Sequence, residues 1–198
     1  MACQLKMKKT LIALTGAMGC GKSVASAAFA ELGAHVLDAD KLAHRALDED
    51  GRVRECLMEI VGPCAYRDGR ADRPVIARVV FSDKAKLERL EECVHPAVER
   101  LWLKESENEA LCLVEVPLLF EKKLEGGFDL CIDVFCSEQL RRRRLLDRGM
   151  SAEEILRRDA LQMSPFKKAE LADVVLLNES TTDFLKQQAR LVISRLKE

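Results

Sequence analysis

Short, nearly unbroken apolar runs alternate along this chain with longer stretches in which apolar residues recur at every third or fourth position. The runs are residues 10–15 (TLIALT), 34–38 (AHVLD), 111–116 (LCLVEV), 129–135 (DLCIDVF) and 173–177 (DVVLL). Their length suits strands, and the lack of a polar face suits strands covered on both sides, as in a parallel sheet. Between them the helical period takes over. Val24 to Leu32 reads as a helix with Gly33 just past its end. The stretch 39–106 is helical in character, with turn signals at Gly62-Pro63 and Asp68-Gly69. Within it, Leu87, Leu90, Val94, Val98 and Leu101 predict a long helix over 84–106, which Pro96 should kink or divide near His95. Two helices are expected between the fourth and fifth strands, the second opened by the capping box Ser151-Ala-Glu-Glu154. A last helix from about Thr182 places Leu185, Ala189, Val192 and Leu196 on one stripe. The alternation predicts a doubly wound α/β fold of five parallel strands, with ligands at the carboxyl ends of the strands.

The chain has 198 residues, enough for one domain with an inserted subdomain, and 48% of them are hydrophobic. No apolar run approaches the ~18–20 residues of a membrane span. A formal net charge of −1 gives no global field for nucleic acid. The expected partner is a small molecule, not nucleic acid or membrane, and the expected state is a monomer or weak homo-oligomer. The eight cysteines (Cys3, Cys20, Cys56, Cys64, Cys93, Cys112, Cys131, Cys136) form no CxxC pair, and no histidine lies at metal spacing. Reduced thiols in a cytoplasmic enzyme are therefore expected.

Lys8 to Ser23 (KKTLIALTGAMGCGKS) admits two readings. Lys6, Lys8 and Lys9 before Leu11–Leu14, with Cys20 after Gly19, resemble a secretion signal ending at a lipoprotein cysteine. Such a signal needs an apolar stretch of roughly 7–15 residues and a small residue before the cleavage site. Here the clean run has four residues, Met18 sits where the small residue belongs, and Lys22 follows at once. The other reading uses every residue. Gly16-Ala17-Met18-Gly19-Cys20-Gly21-Lys22-Ser23 matches the Walker A pattern between a strand and a helix, the order a phosphate loop requires. Gly16 and Gly21 allow turns that aim successive amides at one anion, and Gly19 allows close approach. Lys22 supplies a mobile positive charge and Ser23 a hydroxyl for Mg²⁺. The fold is thus of P-loop NTPase type. Cys20 inside a cationic loop could have a lowered pKa and be oxidisable, or be present for its size alone.

Asp38-Ala39-Asp40 closes the second strand, on the edge where the loop also lies. A kinase needs a carboxylate to accept the proton of the attacking hydroxyl and acids to organise Mg²⁺. Asp40 fits the first role, or caps the next helix, or does both. Arg141 to Arg144, with Arg148, forms a charge run in which Arg141, Arg144 and Arg148 share a helical face. Placed after the fourth strand, such a row can close over a polyphosphate.

Together these elements resemble the dephospho-CoA kinase family. The matching segments are LTGAMGCGKS (14–23), LDAD (37–40), Asp68-Gly69 with Asp72-Arg73, Val94-His95-Pro96 and VPLLFE (116–121). The arginine helix to Arg148, Arg158 with Gln162, and Ala172-Asp173 through Asn178 continue the match. The resemblance implies phosphorylation of the ribose 3′-hydroxyl of dephospho-CoA by ATP with Mg²⁺, with an inserted acceptor region near 45–106 and a helical lid near 137–163. It implies Asp40 as base, with Lys22 and Arg144 also catalytic. Gly16, Gly19, Cys20, Gly21, Lys22, Ser23, Val24, Arg148 and Asn178 would hold the nucleotide, Asn178 beside adenine. Asp38, His44, Arg73, His95, Pro117, Leu118 and Leu119 would face the acceptor, and Ser23 and Asp38 the metal. Three positions depart from the family pattern. Val24 stands where Ser or Thr is common, His44 (followed by Arg45) where arginine is common, and Gln139 is an uncertain counterpart of a lid glutamine. A kinase of another small hydroxyl acceptor would have no reason to keep the DAD, His-Pro and PLLFE set. A nucleotide-dependent switch would want an Asn-Lys-x-Asp reader, which the chain lacks, and Glu115 is the only acid in the third strand.

Overall fold

In the computed structural model, which describes residues 9–196, the five apolar runs all form strands of one parallel sheet. They are β1 (Thr10–Thr15), β2 (His35–Asp38), β5 (Leu111–Glu115), β6 (Leu130–Phe135) and β7 (Val174–Leu177). The order across the sheet is β2-β5-β1-β6-β7. β1 is central, with Ile12 opposite Leu113 on one side and opposite Leu130 on the other. The chain leaves β1 in one direction for β2 and β5 and in the other for β6 and β7. The carboxyl end of β1 is therefore the switch point, where an open α/β sheet forms its ligand crevice.

The chain forms two compact units. One comprises the residues up to Leu37 and those from Asn108 onward. There α1 (Lys22–Glu31) and α9 (Thr182–Leu196) cover one face of the sheet, packing Phe29, Leu185, Ala189 and Ile193 on Ile12, Leu14, Leu113 and Ile132. The buried stripe of α9 thus runs through Ile193, while Leu196 is exposed. Between β6 and β7 lie three helices where two were expected: α6 (Glu138–Asp147), α7 (Ala152–Asp159) and α8 (Pro165–Leu171). The Ser151 hydroxyl accepts from Glu154 N at 3.1 Å, as the capping box requires, but the Glu154 carboxylate turns to Arg158 instead of reaching back.

The second unit, Asp38–Glu107, contains α2 (Ala39–Glu49), α3 (Gly51–Ile60), a two-stranded hairpin of β3 (Tyr66–Arg67) and β4 (Arg70–Ala71), α4 (Arg73–Val80) and α5 (Lys84–Glu105). Of the two outcomes expected at Pro96, a kink or a division, division does not occur: α5 runs through it. Proline removes one rung of the helical ladder. The helix continues because Leu90, Ala97, Val98 and Trp102 bury one side of it along its length.

The expectation that all thiols are reduced is also corrected. Cys56 on α3 and Cys93 on α5 form a disulfide, because these two helices pack together and bring the Cα atoms to 6.7 Å. Cys20, Cys64, Cys112, Cys131 and Cys136 carry none, and Cys3 lies outside the described residues. Among the described residues no helix is long and apolar enough to cross a membrane.

Candidate active site

The phosphate loop is held through its carbonyls. The Lys22 ammonium donates to Gly16 O (2.8 Å) and Ala17 O (3.3 Å), and Arg141 donates to Met18 O (3.3 Å). Cys20 O accepts from Asn178 Nδ2 at 2.7 Å and from Arg144 at 3.4 Å. One loop amide is engaged by a side chain, Met18 N with Gln162 Oε1 at 3.2 Å. The start of α1 has no side-chain cap. Val24 N and Ala25 N bond Gly21 O, and the Cys20 sulfur accepts from Lys22 N, while the positive dipole end of the helix favours an anion there. Gly21, at φ 98°, precedes the helix; a Cβ there would meet Asn178 Nδ2 at 2.1 Å.

Cys20 is filled for size. It is 1% exposed, and its sulfur lies where a Cβ on Gly16 would intrude, at 2.6 Å. Burial pushes its thiol up to about 11, outweighing the attraction of Lys22, which favours the size reading of Cys20 over the oxidisable one.

The arginine row separates into distinct tasks. Arg141 is buried and makes a bidentate pair with Asp159 on α7, both bonds at 2.7 Å. Arg142 pairs with Glu138 and Arg143 lies near Asp147, both on the outside of α6. Arg144 instead donates to main-chain oxygens, Cys20 O and Asn178 O. It is the member of the run drawn to the phosphate loop without a bonded carboxylate. Arg148 is exposed at the C-cap of α6. Asn178 braces the loop through its amide nitrogen and is 7% exposed.

Beneath the loop lies a buried polar cluster that no local pattern announced. Lys168, on the unexpected helix α8, is 0% exposed and donates to Pro117 O at 2.6 Å. It also pairs with Glu121 Oε1 at 2.9 Å. The same oxygen accepts from Met163 N at 2.7 Å. Asp133 of β6 is 1% exposed, and burial raises its carboxyl to about 6 against the opposing pull of Lys168 and Lys22. Asp133 Oδ1 and Glu121 Oε2 are buried without a hydrogen-bond partner. Of the turn expected to face the acceptor, Pro117 and Leu118 are half-buried, whereas Leu119 is wholly core. On the opposite face, Ser26 of α1 donates to Glu115 Oε1 at 2.6 Å, fixing α1 to the end of β5.

In the second unit, Asp38 rather than Asp40 caps α2, accepting from Asp40 N (3.0 Å) and Lys41 N (3.2 Å). Asp40 is thereby relieved of capping and stands exposed in the first turn, one helical turn from exposed His44 on the same face. Arg45 faces elsewhere, engaged by Glu49 and by Glu105 of α5. His44, not Arg45, is therefore the residue presented beside Asp40. Arg73 opens α4 and lies 3.3 Å from Asp48, and His95 is half-buried on α5.

Comparison with known proteins identifies the family. The family model described as dephospho-CoA kinase matches residues 10–183. A Thermus thermophilus dephospho-CoA kinase is 39% identical over 94% of this chain and 91% of its own length. A crystal structure from Thermus thermophilus superposes with a TM-score of 0.81 at 36% identity, covering 96% of this chain and 100% of that one. A dephospho-CoA kinase structure from Campylobacter jejuni gives 0.68 at 25%, covering 96% and 98%. The match takes in nearly the whole described chain, and the chain belongs to the dephospho-CoA kinase family.

Proposed function

We propose that this chain transfers the γ-phosphoryl group of ATP to the ribose 3′-hydroxyl of dephospho-CoA, giving coenzyme A and ADP in the cytoplasm. The observation that carries the reading is the phosphate loop: its carbonyls are bonded to Lys22, Arg141, Arg144 and Asn178, and α1 opens behind it with no side-chain cap, its positive dipole end suited to a polyphosphate. Family membership supplies the acceptor. Lys22 exchanges its loop carbonyls for the β- and γ-phosphate oxygens, and Arg144 neutralises charge on the transferring group. Arg148 and Asn178 serve the nucleotide end.

Asp40 acts as general base toward the 3′-hydroxyl. Asp38, His44, Arg73, His95 and the Pro117-Leu118 turn contribute to acceptor binding, Asp38 chiefly by setting the first turn of α2. Mg²⁺ fits the residues present. Among the described residues no cluster of three or more His, Cys, Asp or Glu could form a protein cage. A nucleotide-bound Mg²⁺ needs no such cage, because phosphates and waters supply most of its ligands. The exposed Ser23 hydroxyl at the start of α1 would supply one, and Asp38 Oδ2 lies outside the cap bonds. The metal's contribution is to neutralise developing phosphate charge.

The test is a coupled assay of ADP release across a panel of acceptors. Dephospho-CoA should support turnover, while nucleosides, nucleotides and shikimate-like alcohols should not. Turnover with one of those acceptors and none with dephospho-CoA would overturn the reading.

A further inference from the structure

Lys168 is a buried charge for which the phosphoryl-transfer scheme has no direct use. Its ammonium joins four pieces of the first unit. It donates to Pro117 O, where the chain leaves β5, and pairs with Glu121 at the end of that turn. Through Glu121 Oε1 it holds Met163 N, next to Gln162, whose side chain bonds Met18 N in the phosphate loop. It also lies within electrostatic reach of Asp133 on β6. Thr15 Oγ1, at the end of β1, shares Pro117 O at 3.4 Å. We propose that Lys168 is a positioning residue for catalysis, setting the Pro117–Glu121 turn and the Gln162–Met163 end of the lid segment against the phosphate loop.

The physical case is one of charge balance. Glu121 is half-buried and Asp133 buried, each with one oxygen lacking a hydrogen bond. The cations facing them are Lys168 from α8 and Lys22 from α1. Lys22 is the mobile charge that goes to the nucleotide, so Lys168 is the fixed counter-charge. Without it, two like charges share one apolar site, and such a pair relieves itself by protonation or by moving apart. Moving apart would carry the turn away from β5 and Met163 away from Glu121. Protonation would leave both in place. A loss caused by mispositioning is therefore expected to depend on pH in a way that a simple packing loss is not.

The inference rests on the proposed reaction. The experiment compares wild type, Lys168→Met and Lys168→Met/Glu121→Gln at pH 6 and pH 8. Turnover of dephospho-CoA is normalised to sites counted by binding of a non-hydrolysable ATP analogue, so unfolded protein is excluded. Lys168→Met should lose about tenfold or more in kcat at pH 8 and much less at pH 6, where an acid can protonate. The double variant removes the unpaired charge while keeping an acceptor for Met163 N, and should recover most of the loss at pH 8. An equal loss at both pH values, or no recovery in the double variant, would overturn the positioning role. If wild type itself fails with dephospho-CoA while binding the ATP analogue, the proposed reaction fails instead.

Discussion

At Gly21 a single methyl group would strike Asn178 Nδ2 in a backbone conformation that side chains already disfavour. Gly21→Ala should therefore displace the Asn178 brace and lower ATP-analogue affinity by about tenfold or more, read by titration of the folded protein. Asp40→Asn addresses the other reactant. Because Asp38 supplies the cap, the variant keeps the N-terminus of α2 intact. Nucleotide affinity should hold while kcat falls by about 10²; an unchanged kcat removes Asp40 from the base role. Asp133 makes a prediction about stability. Folding raises its carboxyl from 3.8 to about 6, so its contribution is fully present below about pH 4 and is lost as pH rises through 6. Asp133→Asn should match wild type near pH 4 and exceed it by up to about 3 kcal/mol at pH 8, measured by denaturant unfolding. The loop glycines at positive φ, and a loop between β1 and α1, were legible in the sequence because their geometry is local. The Lys168–Glu121–Asp133 cluster was not, because buried charge pairing joins residues dozens of positions apart and leaves no spacing to read.

Helix α6 shows how an element divides labour among like residues. The spacing of its arginines placed Arg141, Arg144 and Arg148 on one face, but spacing carries no information on which carboxylate waits opposite. Asp159 lies on α7, and its pairing turns Arg141 into a structural strut. Arg141→Ala leaves a partly buried carboxylate unpaired and should cost about 3 kcal/mol of stability. Arg144→Ala should cost little stability and lower kcat at least about a hundredfold, since its lost charge faces the loop. Equal stability losses in the two variants would erase the distinction. The same limit explains the elements that pattern reading mishandled. Helix α8 is seven residues long, under two full turns, so periodicity had nothing to repeat; Ser164 as its cap and Pro165 at its first position were the usable signals. In α5, proline chemistry argued for a break, and burial along the helix prevailed over that local cost.

Across the whole molecule, the five strands follow from apolar runs, whereas their order and the division into two units depend on which elements find each other. The Cys56–Cys93 bond belongs to this level. A separation of 37 residues with no CxxC gave no hint of it; only the packing of α3 on α5 does. Closing a loop of that length restricts the unfolded chain by up to about 4 kcal/mol on a chain-entropy basis. The bond lies wholly within the Asp38–Glu107 unit, and every residue of the phosphate-loop clamp lies outside it. Reduction should therefore lower the denaturant midpoint of the Asp38–Glu107 unit while leaving ATP-analogue affinity within about twofold, since the clamp has no member in that unit. Thiol titration of the denatured chain should find two fewer thiols before reduction than after. In a reducing cytoplasm the dithiol form would prevail, and the stability lost there is the quantity to measure. If reduction weakened nucleotide binding as strongly as it weakened the Asp38–Glu107 unit, the two units would have to share one cooperative fold. The independence drawn here would then be wrong.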